Sequence, residues 1–169
     1  MATVAGPNPR AKAITPDRFE RVLAVGATLL LLAVITALAR GYGEWQLIKV
    51  NLWVHLGTMI VALALTPVML LRRRGDPLHR TLGGIWVAAM ILTALVSFTI
   101  RDTNKGGLSF IHILSIWTLI QVPLIFWSAR THDVRKHRSS VRGMVLGALL
   151  IAGFFTFPFD RLLGHWLFA

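Results

Sequence analysis

Five apolar stretches, each close to the length a helix needs to cross a bilayer, leave few folds open to this chain. They run at about 19–39, 46–71, 81–100, 108–129 and 141–159. A transmembrane helix needs roughly 20 such residues. Hydrophobic residues make up 55% of the sequence and charged ones only 15%, and the charges cluster between the stretches. Strands are excluded, because an open sheet leaves its edge N–H and C=O groups unsatisfied in lipid. The expected fold is therefore all-α: an integral membrane bundle of five transmembrane helices. It forms a single domain over 19–169, preceded by a polar, proline-bearing tail at 1–18.

A net charge of +11 would suit a nucleic-acid partner, but the basic residues form no binding face. They flank the apolar stretches and are unevenly divided between the two ends of the bundle. The tail (Arg10, Lys12, Arg18, Arg21), the second loop (Arg72, Arg73, Arg74, Arg80) and the fourth loop (Arg130, Arg135, Lys136, Arg138, Arg142) hold 13 of the 18. The opposite side holds Arg40, Lys49, Arg101, Lys105 and Arg161. By the positive-inside rule the N-terminus is cytoplasmic and the C-terminus lies on the other face. The partner implied is the lipid bilayer, and nucleic acid is excluded. The chain has no cysteine, which rules out disulfides, thiolate-held metals, Fe–S clusters and covalently attached haem. A redox cofactor would have to hang from histidine or methionine.

Four of the six histidines fall into a repeated pattern. His55 lies inside the second stretch, roughly 13 Å below its outer end at 1.5 Å per residue, and His112 near the outer end of the fourth. His79 and His137 stand at the opposite entrances of the third and fifth, each followed by arginine: "DPLHRTLGG" and "HDVRKHRSSVRG". The interval is 24 residues from His55 to His79 and 25 from His112 to His137. Each reads histidine, apolar helix, basic loop with an acid, His-Arg, helix. This pattern predicts a four-helix core, helices 2–5, built from two duplicated hairpins related by an axis along the membrane normal. That symmetry would bring His55 toward His112 and His79 toward His137.

Helical periodicity agrees with an inward direction. Asn51, His55, Thr58, Ala62 and Thr66 share one stripe, as do His79, Gly83, Trp86, Met90, Thr93 and Ser97. Ser109, His112 and Ser115 lie together, and Gly143 and Gly147 form a small-xxx-small approach face. The first helix has no such stripe and is expected outside the core. An intramembrane ionisable residue is functional by default. A bis-histidine pair between facing helices is what a six-coordinate b-type haem needs, with one imidazole on each face of the macrocycle. Arg72, Arg73, Arg74, Arg80 and Arg138 would pair with its propionates at the inner face. The simpler reading of His79-Arg80 and His137-Arg138 is an interfacial anchor and topology signal. Met90 is a possible soft ligand, with core packing the plainer role. Asp76 and Asp133 are expected to cap the following turn or to pair with a neighbouring arginine. The tryptophans near helix ends read as an aromatic belt.

From His55 through Arg161 the sequence resembles a bacterial family of predicted membrane proteins, the domain of unknown function 2306. The stretches that carry the likeness are "VHLGTMIVALALTPVMLLRRRGDPLHRTLGGIWVAAM", "IHILSIWTLI", "HRSSVRGM" and "IAGFFTFPFDR". The family implies a location in the bacterial inner membrane and carries no activity with it. More distantly, the order of histidines resembles the cytochrome b561 four-helix core. That resemblance implies one haem b between His55 and His112, another between His79 and His137, and a membrane electron-transfer protein that would serve as an oxidoreductase component. Two other readings stand beside it: a cofactor-free accessory subunit of a respiratory or photosynthetic membrane complex, and a quinone- or metal-binding membrane protein.

Overall fold

A computed structural model describes residues 15–100, 110–158 and 161–169. All regular structure among them is helical. Helix α1 spans Arg18–Arg40, α2 Val50–Leu71, α3 Pro77–Ser97 and α4 Phe110–Arg130. The chain then stays helical through α5 (Val134–Met144), a π-helical stretch (Val145–Ile151) and the single turn α6 (Ala152–Phe154), before α7 (Leu162–Phe168). A 3₁₀ segment, Tyr42–Leu47, joins α1 to α2. Four helices, α1 to α4, are long and apolar enough to cross a membrane.

The helix starts follow local chemistry. Asp17 caps α1 by accepting from the Glu20 N–H at 3.0 Å, and Glu20 returns the bond to the Asp17 N–H at 3.1 Å, closing a capping box. Asp76 accepts from the His79 N–H at 2.6 Å, with Pro77 at the first helical position. Asp133 accepts from the Lys136 N–H at 3.0 Å. The expected caps at Asp76 and Asp133 are therefore present, and they start α3 and α5 earlier than the apolar runs suggest. The fifth helix begins at Val134, seven residues before the expected 141, because its first half is polar and meets the bundle through charge. Ser109 and the "RDTNKGG" loop lie outside the described residues.

The helices form a closed ring in which α1 packs on α2, α2 on α3, α3 on α4 and α4 on α5, while the π stretch returns to α1. The first helix is thus part of the core rather than outside it. Its small and apolar face, Leu23, Ala24, Ala27, Val34 and Ala37, is buried. The opposite face, Val22, Val25, Leu29, Leu32 and Ile35, is exposed, as contact with lipid requires. A missing polar stripe therefore did not mean a missing interface. Close approach between α1 and the fifth helix falls at Gly26, against Leu150, and Gly153, against Leu30. Gly143 faces open space and Gly147 meets Trp117, so the predicted small-xxx-small face is displaced along the helix.

At the end opposite the basic loops, α7 folds back on the end of α1. Trp166 is buried, donates its indole N–H to Glu44 at 2.9 Å and lies flat against Gly41. It is a packing residue, not a member of an exposed belt. A methyl group at position 41 would sit 2.0 Å from the Trp166 ring. Gly41→Ala should therefore lower stability by about 1–3 kcal/mol through overpacking, read as a lower denaturation midpoint in detergent. An unchanged midpoint would contradict this packing.

Candidate functional site

Two polar sites lie inside the ring, one near each end. At the basic end, α3 and α5 present His79 and His137. The two rings are close enough for a charge on one to bear on the other, and Arg74 is near enough to act on both. His79 follows its cap by three residues, which places its side chain on the first turn of α3, half-buried. Its Nδ1 is buried with no hydrogen-bond partner among the described residues. Nδ1 of His137 lies 3.1 Å from the Ile125 carbonyl oxygen on α4. A carbonyl only accepts, so Nδ1 carries the proton and Nε2 of the neutral ring keeps its lone pair. A backbone carbonyl on the far nitrogen is the usual support of a metal-ligating histidine.

Around this pair stands a charge cluster that the apolar pattern did not reveal. Glu20 is 0% exposed, yet it meets Arg74 from the α2–α3 loop and Arg138 and Arg142 from α5. The Arg138 Nε lies 2.7 Å and the Arg142 Nε 3.1 Å from Glu20 Oε1. Asp17 adds contacts to the same two α5 arginines. The guanidinium groups of Arg74 and Arg138 also donate to the Thr15 carbonyl, each at 3.3 Å. The Glu20 N–H, then Arg142, hold the Asp17 carboxyl below the usual aspartate range; Arg72, then the His79 N–H, do the same for Asp76. Arg138 is therefore occupied by protein carboxylates, whereas Arg80 lies on the exposed face of α3. Sequence reading missed Glu20 because it sits at the edge of an apolar run. The signal present was the Asp-x-x-Glu capping box that opens α1.

The second site lies toward the far end. His55 is the sixth residue of α2, which begins at Val50, so it lies about 8 Å into the helix rather than the 13 Å expected from a start at 46. Its Nδ1 donates to the Thr93 carbonyl of α3 at 3.2 Å. Thr93 in turn donates its hydroxyl to Thr58 on α2 at 2.6 Å. The ring borders a chamber of about 70 Å³ between α2, α3, α4 and the fifth helix, whose walls include Met59, Met90, Ser97 and Ser115. Ser97 and Ser115 are hydrogen-bonded to each other and hold α3 against α4. His112 is buried on α4 but is not part of the chamber wall; its ring packs 5.7 Å from that of Phe98.

The two predicted pairs therefore differ. His79 and His137 stand on the first turns of α3 and α5, near enough for charge on His137 to bear on His79, with one ring held by the Ile125 carbonyl and one buried nitrogen lacking a partner among the described residues; two such imidazoles are a donor set that could hold haem iron. Of the outer pair, His55 borders the chamber of about 70 Å³ and His112 does not. Ligand pockets start at about 300 Å³, far above the chamber at His55, and the Ser97–Ser115 contact closes it on one side. Among the described residues no group of three or more His, Asp or Glu side chains is placed to hold a metal ion.

Removing the Glu20 carboxylate would leave Arg74 without its carboxylate partner and Arg138 and Arg142 with Asp17 alone. Glu20→Ala should lose about 3 kcal/mol, the scale for breaking a buried ion pair from one side, read by denaturation in detergent; a loss under about 1 kcal/mol, the exposed-pair scale, would contradict the cluster's role. No family model, curated protein or solved structure matches this chain.

Proposed function

We propose that the chain is a five-span inner-membrane electron carrier that binds one b-type haem between His79 and His137, with its basic end in the cytoplasm. The observation that carries this reading is the inner histidine pair itself. Two imidazoles from different helices stand within electrostatic reach of each other, one with its far nitrogen held by the Ile125 carbonyl and one with a buried nitrogen that lacks a partner among the described residues. The fifth span is the helical path from Val134 to Phe154, whose polar first half lies against Glu20 and whose apolar second half completes the ring. The recurrence of His-Arg at the starts of α3 and α5 supports a duplicated-hairpin origin for this arrangement.

When bound, the haem would supply a reversible one-electron couple between a membrane donor such as a quinol and an acceptor. The protein supplies the rest. His79 and His137 would fix the iron from two sides, and the Ile125 carbonyl orients the His137 ring and raises its basicity. Arg80, exposed beside His79, would meet propionate charge, since guanidinium matches carboxylate geometry. Arg138 is already engaged with Glu20 and Asp17, so its part is to set the position of α5, and hence of His137. Both rings are half-buried, which limits water at the ligands and so influences the potential at which an electron would be held.

The test is the reduced-minus-oxidised spectrum of the purified protein with its pyridine haemochrome. The wild type should show Soret and α-band differences. His79→Ala and His137→Ala should each abolish or severely deplete them, and His55→Ala should retain them. A wild type without a haem spectrum, or variants at the inner pair that keep it intact, would overturn the proposal.

A further inference from the structure

The chamber at His55 is too small for a porphyrin, but its walls carry a different donor set. His55 and Met59 are four residues apart on α2 and so share one face. Met90 enters the same chamber from α3. Because Nδ1 of His55 donates to the Thr93 carbonyl, the lone pair of the neutral ring is on Nε2. We propose that this chamber is a site for a soft monovalent metal ion, Cu(I), with Nε2 of His55 and the thioether sulfurs of Met59 and Met90 as ligands. The proposal stands apart from the haem reading, which concerns the other end of the bundle.

Two physical arguments select this ion. Thioether sulfur is a soft donor that favours Cu(I), whereas hard divalent ions want oxygen ligands and several of them. Among the described residues no carboxylate lines the chamber, so every donor there is neutral and does not compensate the ion's charge. Taking an ion into such a medium costs energy that rises with the square of its charge, about fourfold more for a divalent than for a monovalent ion of similar size.

The experiment is an anaerobic titration of the detergent-purified protein with Cu(I) against a chromophoric chelator, followed by copper K-edge X-ray absorption. One Cu(I) per chain with sulfur and nitrogen scatterers is expected. Met59→Leu and Met90→Leu are close to volume-conserving, at under about 1.5 kcal/mol each, so the fold should persist. Each should weaken binding by roughly tenfold or more and reduce the sulfur shell. His79→Ala with His137→Ala should leave Cu(I) binding unchanged. No retained copper, copper with nitrogen and oxygen neighbours only, or equal binding in both methionine variants would overturn the proposal. Haem content, read on the same samples, reports on the inner pair alone.

Discussion

The Glu20 carboxylate is the constraint on which the arrangement at the basic end depends. A charge at the head of an apolar helix is tolerated there because three guanidinium groups converge on it. Those arginines come from two other places in the chain, the α2–α3 loop and α5. A single acid therefore ties the start of α1 to the start of α5 and to the turn that precedes α3. Since His79 and His137 sit on the first turns of α3 and α5, the same cluster sets where the helix starts that carry them stand. The fifth helix depends on it most. Its first half, "VRKHRSSVRGM", has little apolar surface to bury, and Arg138 and Arg142, one turn apart, give it a face that attaches by ion pairing.

The two ends of the ring are built on different physics. The basic end is held by charge-assisted hydrogen bonds and helix caps. The far end is held by shape: Trp166 over Gly41, Gly153 against Leu30, and Gly164 against the Phe157 backbone. Between them, helix association relies on hydroxyl contacts such as Thr93 to Thr58 and Trp86 Nε1 to Thr66 Oγ1 at 3.0 Å. Such pairing matters because, within a membrane, hydrophobic burial gives little preference for one helix contact over another. The polar groups that hold the helices together are also those that set the histidines. Thr93, for instance, bonds Thr58 through its hydroxyl and His55 through its carbonyl.

Four membrane-length helices were legible in the sequence, because apolar length between charged loops is a direct consequence of bilayer thickness. The caps at Asp76 and Asp133 were legible for a similar reason, a short acid side chain placed before a helical run. Three features were not. The core role of α1 was hidden because its packing face is made of alanine, leucine and valine, which look the same whether they meet protein or lipid. The start of α5 was hidden because ion pairing leaves no hydrophobic period. The contrast between the histidine pairs was hidden because depth and spacing describe position along a helix, whereas the space between helices depends on contacts such as Ser97–Ser115. The inner pair, whose plainer sequence reading is an interfacial anchor, stands beside Arg74 with His137 near enough to bear on His79.

This contrast makes the number of haems the most direct measure of the account. Pyridine haemochrome quantified against protein by amino-acid analysis should give one b-type haem per chain. A value of two would mean that the outer histidines also hold a macrocycle and that α3 and α4 separate to admit it. A value of zero in protein expressed with ample haem would contradict the electron-carrier reading.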